Sequence, residues 1–204
     1  MTYSWRTLSN GAVEVGGKLP ELGGAELAAL RTRVMRWRAL ADKHSARTGV
    51  PVHWLLGVIY AETGGVPTLT SPKGAFGLMQ VMPFNWGGRT KEQMADPDTN
   101  ILVGSNILAG HVKRMGRDLP KVASGYNAGA QAQSGAPHPS ATSPWGMREN
   151  KGYISNVVSA ANSALKELAA EPPKAGAPAS PGRSDAETGL AVALVALKVA
   201  RFLG

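Results

Sequence analysis

The sequence predicts a mainly α protein, opened by one small β-hairpin and closed by a separate apolar helix. Three observations carry that prediction. Apolar residues recur at helical spacing over several stretches, the hairpin signal is confined to one Asn10-Gly11 pair, and Gly and Pro fall where helices must stop or start.

Each element can be justified in turn. Residues 3–16 alternate weakly on either side of Asn10-Gly11, a pair that accepts the left-handed backbone of tight turns, so a small strand pair is expected. Over 25–48, Leu27, Leu30, Val34, Trp37 and Ala41 share one helical face, and Gly49 stands where a C-terminal cap belongs. One continuous helix is expected there. Pro51 opens a second helix through Trp54, Leu55, Val58 and Ile59 to Glu62, and Gly64, Gly65 and Pro67 forbid its continuation. Glu62 therefore falls in the last turn of an apolar helix, facing a loop.

Residues 66–90 are rich in Gly and Pro and read as loops around short helical turns. A third long helix fits 98–115, with Ile101, Ile107, Leu108, Val112 and Met115 inward, and another runs from Pro120 through Val122 and Tyr126 to Gly129. The polar stretch 130–150, holding His138 and Trp145, is too long for a mere connection. Ile154, Val157, Val158, Ala161, Leu165 and Leu168 mark a last domain helix. The organisation expected is thus an N-terminal extension over 1–24, a domain over 25–170, a Pro/Ala/Gly linker over 171–184, and an apolar helix over 185–204. In that helix the apolar run before Lys198 is shorter than the roughly 20 residues that span a bilayer. It could pack on its own domain, lie on a membrane surface, pair with a copy of itself, or dock on a partner protein.

Composition narrows the partners. With 204 residues, 43% of them apolar and 18% charged, the chain can bury a core. Its 22 Lys and Arg against 14 Asp and Glu give a formal charge of +8, which favours polyanions (nucleic acid, an anionic membrane face or the acidic cell wall) without choosing among them. The basic residues are scattered rather than clustered and aromatics are only 6%, so nucleic acid is not the expected partner. There is no cysteine, and His44, His53, His111 and His138 lie far apart, so neither a metal site nor a cofactor is expected. The first residues lack the basic start and unbroken apolar core of a secretory signal.

The chemistry centres on Glu62. Cleaving a glycosidic bond needs an acid to protonate the departing oxygen, and a carboxyl kept partly dry suits that task. Ile59, Val58 and Tyr60 precede Glu62, and Gly64-Gly65 leave space beside it. Alone, a Glu near a helix end is most often a solvated surface residue.

Its neighbours change that balance. Glu62-Thr63 is followed by Ser71, Gly74, Ala75, Gly77, Leu78, Met79, Gln80 and Pro83, then by Asn100 to Leu108 in an Asn-Ile-x-x-Gly-x-x-x-Leu helix, then by Tyr126-Asn127-Ala128-Gly129 and a late Tyr153. In order and spacing, over about residues 37–165, this resembles the soluble lytic transglycosylase family, relatives of goose-type lysozymes. The resemblance implies a lysozyme-like helical domain acting on the glycan strands of peptidoglycan, with Glu62 as its catalytic residue. It also implies a substrate groove drawn from Thr63, Ser71, Gly77, Met79, Gln80, Tyr126, Asn127 and Tyr153.

Physical reasons accompany most of these. Gly74 and Gly77 would let backbone approach a sugar ring, and Gln80 offers both donor and acceptor to acetamido and hydroxyl groups. Tyr126 could donate to the Glu62 carboxylate or to substrate, or sit in the core. Asn127 could fix a loop or hold the carboxyl, and Met79 fits packing better than contact.

No second carboxylate accompanies Glu62, because Glu92, Asp96 and Asp98 read as loop and helix-capping residues. Most glycosidases use a pair. A substrate hydroxyl attacking from within the same sugar would remove the need for the second. The expectation is a 1,6-anhydromuramoyl product, with lysozyme-type hydrolysis and a silent glycan-binding module as the alternatives. For family members without an export signal, carriage in phage particles or secretion machines is implied. The expectation is therefore a virion-associated protein delivered to the host wall, with an ordinary periplasmic enzyme as the competitor.

Overall fold

In this computed structural model, residues 5–128 and 151–170 are described. The expected loop 130–150, linker 171–184 and apolar helix 185–204 lie outside them. The hairpin is present. β1 (Trp5–Thr7) pairs antiparallel with β2 (Val13–Val15), and between them Gly11 takes a φ of +87° while the Asn10 side chain accepts from the Ala12 N–H. It is tied to the last helix through Asn162, whose amide donates to the Val13 and Pro20 carbonyls and whose oxygen accepts from the Val13 N–H.

The helix expected over 25–48 is interrupted. It runs as α1 (Gly24–Ala29), a π-helical turn (Leu30–Val34), a 3₁₀ turn (Met35–Trp37) and α2 (Arg38–Thr48). The cause is tertiary. Gly65 passes so close that a Cβ there would lie 2.5 Å from the Arg33 carbonyl oxygen, and its own carbonyl accepts from the Trp37 indole at 3.0 Å. The loosened turn makes room for that approach. Gly49 caps α2 in the left-handed region, as expected.

α3 (Val52–Thr63) is the central element, with His53 through Tyr60 all buried. A buried position explains why its sequence is apolar almost all round. After it come the short α4 (Lys91–Met94), α5 (Pro97–Met115), α6 (Leu119–Ala128) and α7 (Lys151–Ala170). α3 packs chiefly on α7, while α2 meets α5 through Asp98, which accepts from Lys43 at 2.6 Å and lies 2.7 Å from the His44 ring. Asp96 caps α5 by accepting from the Thr99 N–H, the role its position predicted. Among the described residues, no helix is long and apolar enough to cross a membrane.

Candidate active site

α3 ends where its sequence says it must, at Gly64, which takes a left-handed φ of +59°. Glu62 sits in that last turn. The residue keeps partial solvent contact, yet protein surrounds its carboxyl, and this loss of hydration pushes its pKa up to about 7. The carbonyl-rich C-terminal end of a helix also disfavours a negative charge. One influence opposes both: the Tyr153 hydroxyl donates to Glu62 Oε1 at 2.7 Å and favours the ionised form. Among the described residues, no other acid perturbs Glu62.

Tyr153, expected only as a groove residue, takes one of the roles that the sequence leaves open to Tyr126. Tyr126, on α6, donates at 2.7 Å to the Met79 carbonyl, so it braces the loop beside Glu62 and leaves the carboxyl to Tyr153 on α7. Both phenols are held well above their usual pKa, first by burial and then by the nearby Glu62 charge. They act as neutral donors. The ring of His111 packs edge-on against Tyr126 at 6.4 Å from the far side.

Three of the expected groove residues face inward. Met79 packs, as its residue type suggests and against the groove role that the resemblance implies: its side chain is fully buried, and it fills the space beside Gly104 so closely that a Cβ there would meet its sulfur at 2.5 Å. Thr63 is likewise buried, its hydroxyl 3.1 Å from the Leu78 carbonyl while accepting from the Gly65 N–H. Gly77 does permit a close approach at φ +81°, but of Asn100 rather than a sugar. A Cβ there would lie 2.0 Å from the Asn100 amide nitrogen.

The remaining residues keep some surface. Gln80 is partly buried and is the sole non-glycine with positive φ (+46°) among the described residues, its amide donating to the Leu69 and Gly77 carbonyls. Ser71 is partly exposed, and its hydroxyl accepts from the Ala75 N–H. Asn127 is exposed near the end of α6. Gly74, at φ +84°, would bring a Cβ no closer than 4.0 Å to the Pro83 Cγ, so it keeps room for approach to a ring.

Asn100 was visible in the sequence only as the start of a helix motif. Buried at the base of α5, it accepts from the Met79 N–H at 2.9 Å and donates to the Phe76 and Met94 carbonyls. One side chain thus satisfies two backbone groups of the loop that runs past Glu62 and ties them to the end of α4. A buried polar residue at a helix start, opposite a Gly-rich loop, was the available signal.

A cavity of about 320 Å³ lies at the opposite end of α3, lined by the hairpin, Pro51, Trp54 and Arg117. Its one ionisable side chain is Arg117, so that cavity offers no acid.

Residues 39–138 match the family model of the transglycosylase SLT domain. The endo-type membrane-bound lytic murein transglycosylase A of Klebsiella pneumoniae is 31% identical over 88 residues, covering 38% of this chain and 43% of the relative. Its Salmonella enteritidis counterpart gives the same figures. The chain thus spans less than half the length of these curated relatives. Among solved structures, an inactive mutant of the lytic transglycosylase Slt from Pseudomonas aeruginosa aligns with a TM-score of 0.59 at 22% identity, covering 67% of this chain and 25% of that one. The 70 kDa soluble lytic transglycosylase of Escherichia coli aligns at 0.53 and 23% identity, with the same coverage of each chain, 67% and 25%. Both likenesses concern the fold. Residues 39–138 therefore carry a transglycosylase SLT domain, and the resemblance borne by the ordered motifs is a family relationship.

Proposed function

We propose that this chain is a peptidoglycan lytic transglycosylase in which Glu62 serves as the single acid and base. One observation carries the reading: a carboxyl raised to about 7, held by a neutral phenol, with no second acid among the described residues acting on it. Near neutral pH such a group exists in both forms, as a residue that gives and then takes a proton requires.

The steps follow from that constraint. Protonated Glu62 gives its proton to the oxygen bridging N-acetylmuramic acid and N-acetylglucosamine, and the bond from C1 to that oxygen breaks. The substrate's own acetamido group stabilises the cation left at C1. Glu62, now a carboxylate held by Tyr153, takes the proton of the muramoyl C6 hydroxyl as that oxygen bonds to C1. The acid is restored, no water is consumed, and the product is a 1,6-anhydromuramoyl end. Intramolecular attack lets proximity stand in for the second carboxylate. Ser71, Gln80, Tyr126, Asn127 and Tyr153 are the proposed groove contacts, in side chain or backbone.

Digestion of purified sacculi tests this directly. Mass spectrometry of the released muropeptides should find anhydro ends, and hydrated reducing ends alone would establish the lysozyme-type reaction instead. Glu62→Gln should lose roughly 100-fold or more in rate while keeping its fold, since only the ionisable proton is removed. Retained binding to sacculi without cleavage by the native protein would favour the silent module. The proposal extends to carriage in a phage particle, on the strength of a small wall-cutting domain followed in sequence by a Pro/Ala/Gly-rich stretch and an apolar one. Finding the protein only in host periplasm, never in purified particles, would reject that extension.

A further inference from the structure

α3 carries one residue without a side chain, Gly57, in the middle of an otherwise filled apolar helix. Its backbone needs no left-handed φ, and a glycine inside a helix is less favourable than alanine, so the reason must be space. A Cβ at position 57 would lie 2.8 Å from the Val157 carbonyl oxygen and 2.9 Å from the Ala161 Cβ. The first of these atoms is backbone and cannot step aside alone. α7 rests directly on the α3 backbone at this point.

The same two helices meet again at the candidate site. Glu62 lies five residues beyond Gly57, about 7.5 Å along α3, and Tyr153 lies four residues before Val157, about 6 Å along α7. The helices run antiparallel, so the Gly57 crossing and the bond from Tyr153 to Glu62 are neighbouring contacts of one interface. We propose that Gly57 is a positioning residue: by admitting the α7 backbone, it sets the reach of the Tyr153 hydroxyl to the Glu62 carboxyl. The inference deepens the reading of Glu62 as the acid and rests on it for its catalytic meaning.

The groups around Glu62 make this testable. α7 presents Tyr153 and α6 presents Tyr126, whose own hydroxyl is committed to the Met79 carbonyl, with His111 behind it. Both phenols stay neutral through the working range, so Tyr153 is the donor whose withdrawal Glu62 would feel. Widening the crossing should withdraw it.

Carboxyl ¹³C NMR titration of the full chain, with Glu62 assigned from its loss in Glu62→Gln, reads the effect without needing activity. Gly57→Ala should raise the Glu62 midpoint, as Tyr153→Phe does, and should add nothing in the Tyr153→Phe background. Rate on sacculi should fall on the order of tenfold or more. Ala161→Val widens the same crossing from α7 and should behave alike, so the comparison survives if Gly57→Ala does not fold. An unmoved or lowered midpoint in the folded variants, or the same rise in both Tyr153 backgrounds, overturns the proposal. Cleavage by Glu62→Gln would instead overturn the reading of the acid, leaving the titration result to stand by itself.

Discussion

A side chain that donates and recovers a proton within one turnover works best with its midpoint near the ambient pH, and Glu62 reaches about 7 through opposed influences. Burial raises it and the Tyr153 hydrogen bond restrains the rise. Removing the restraint has a definite sign. In Tyr153→Phe the ionised carboxyl loses its donor, so the Glu62 midpoint moves further up and the base needed for the second step becomes scarce. A hydrogen bond to a charged group contributes about 1.5–3 kcal/mol, so turnover at pH 7 should fall roughly tenfold or more. The pH–rate profile on sacculi should move alkaline at the same time. A profile that stays in place, however low the rate, would show that the phenol does something other than hold the carboxylate.

Between residue and fold stands the loop from Ser71 to Val81, which has little regular structure and is fixed by side chains from the helices around it. Asn100 supplies two of those bonds, at Phe76 and Met79, and Tyr126 a third, while Asn100 also donates to the Met94 carbonyl of α4. Asn100→Ala would leave two carbonyls and one N–H without this partner in a buried place, at about 1–3 kcal/mol for each group left unsatisfied. Denaturant unfolding should show a loss of roughly 3 kcal/mol, whereas an exposed change such as Lys73→Ala in the same loop should stay within about 0.5 kcal/mol. Much at this scale was legible beforehand, because helix ends and turns announce themselves locally. Asn10-Gly11, Gly49, Gly64 and Asp96 all stand where their chemistry predicts. What local chemistry cannot convey is which distant group arrives. Leu30, Val34, Trp37 and Ala41 keep helical spacing straight through a π and a 3₁₀ turn, because the break answers Gly65, some thirty residues away. For the same reason, the resemblance could bring Tyr126 and Tyr153 to the groove but could not say which would touch Glu62. Met79 and Gly77 kept their motif positions while turning to Gly104 and Asn100, partners that a local reading does not reveal.

For the whole molecule, a half-dry acid is a liability to folding that changes with pH. The Glu62 midpoint lies above its ordinary 4.5 in the folded chain, so the native state holds a proton that the unfolded state has already released between about 4.5 and 7. Native stability therefore declines as pH rises through that window and levels off above it. A displacement of this size corresponds to about 3 kcal/mol at most, at 1.36 kcal/mol per unit. Glu62→Gln keeps the shape and carries no charge at any pH, so it should match the native protein near pH 4 and exceed its stability above pH 7, by up to ~3 kcal/mol in denaturant midpoints converted to free energy. His53 also titrates low because it is buried, but it is common to both proteins and cancels in the difference. A variant without activity that is more stable only in alkali would locate the cost of catalysis in this one carboxyl. Equal stability of the two proteins at pH 8 would mean that water reaches Glu62 freely, and the raised midpoint on which its role depends would be lost.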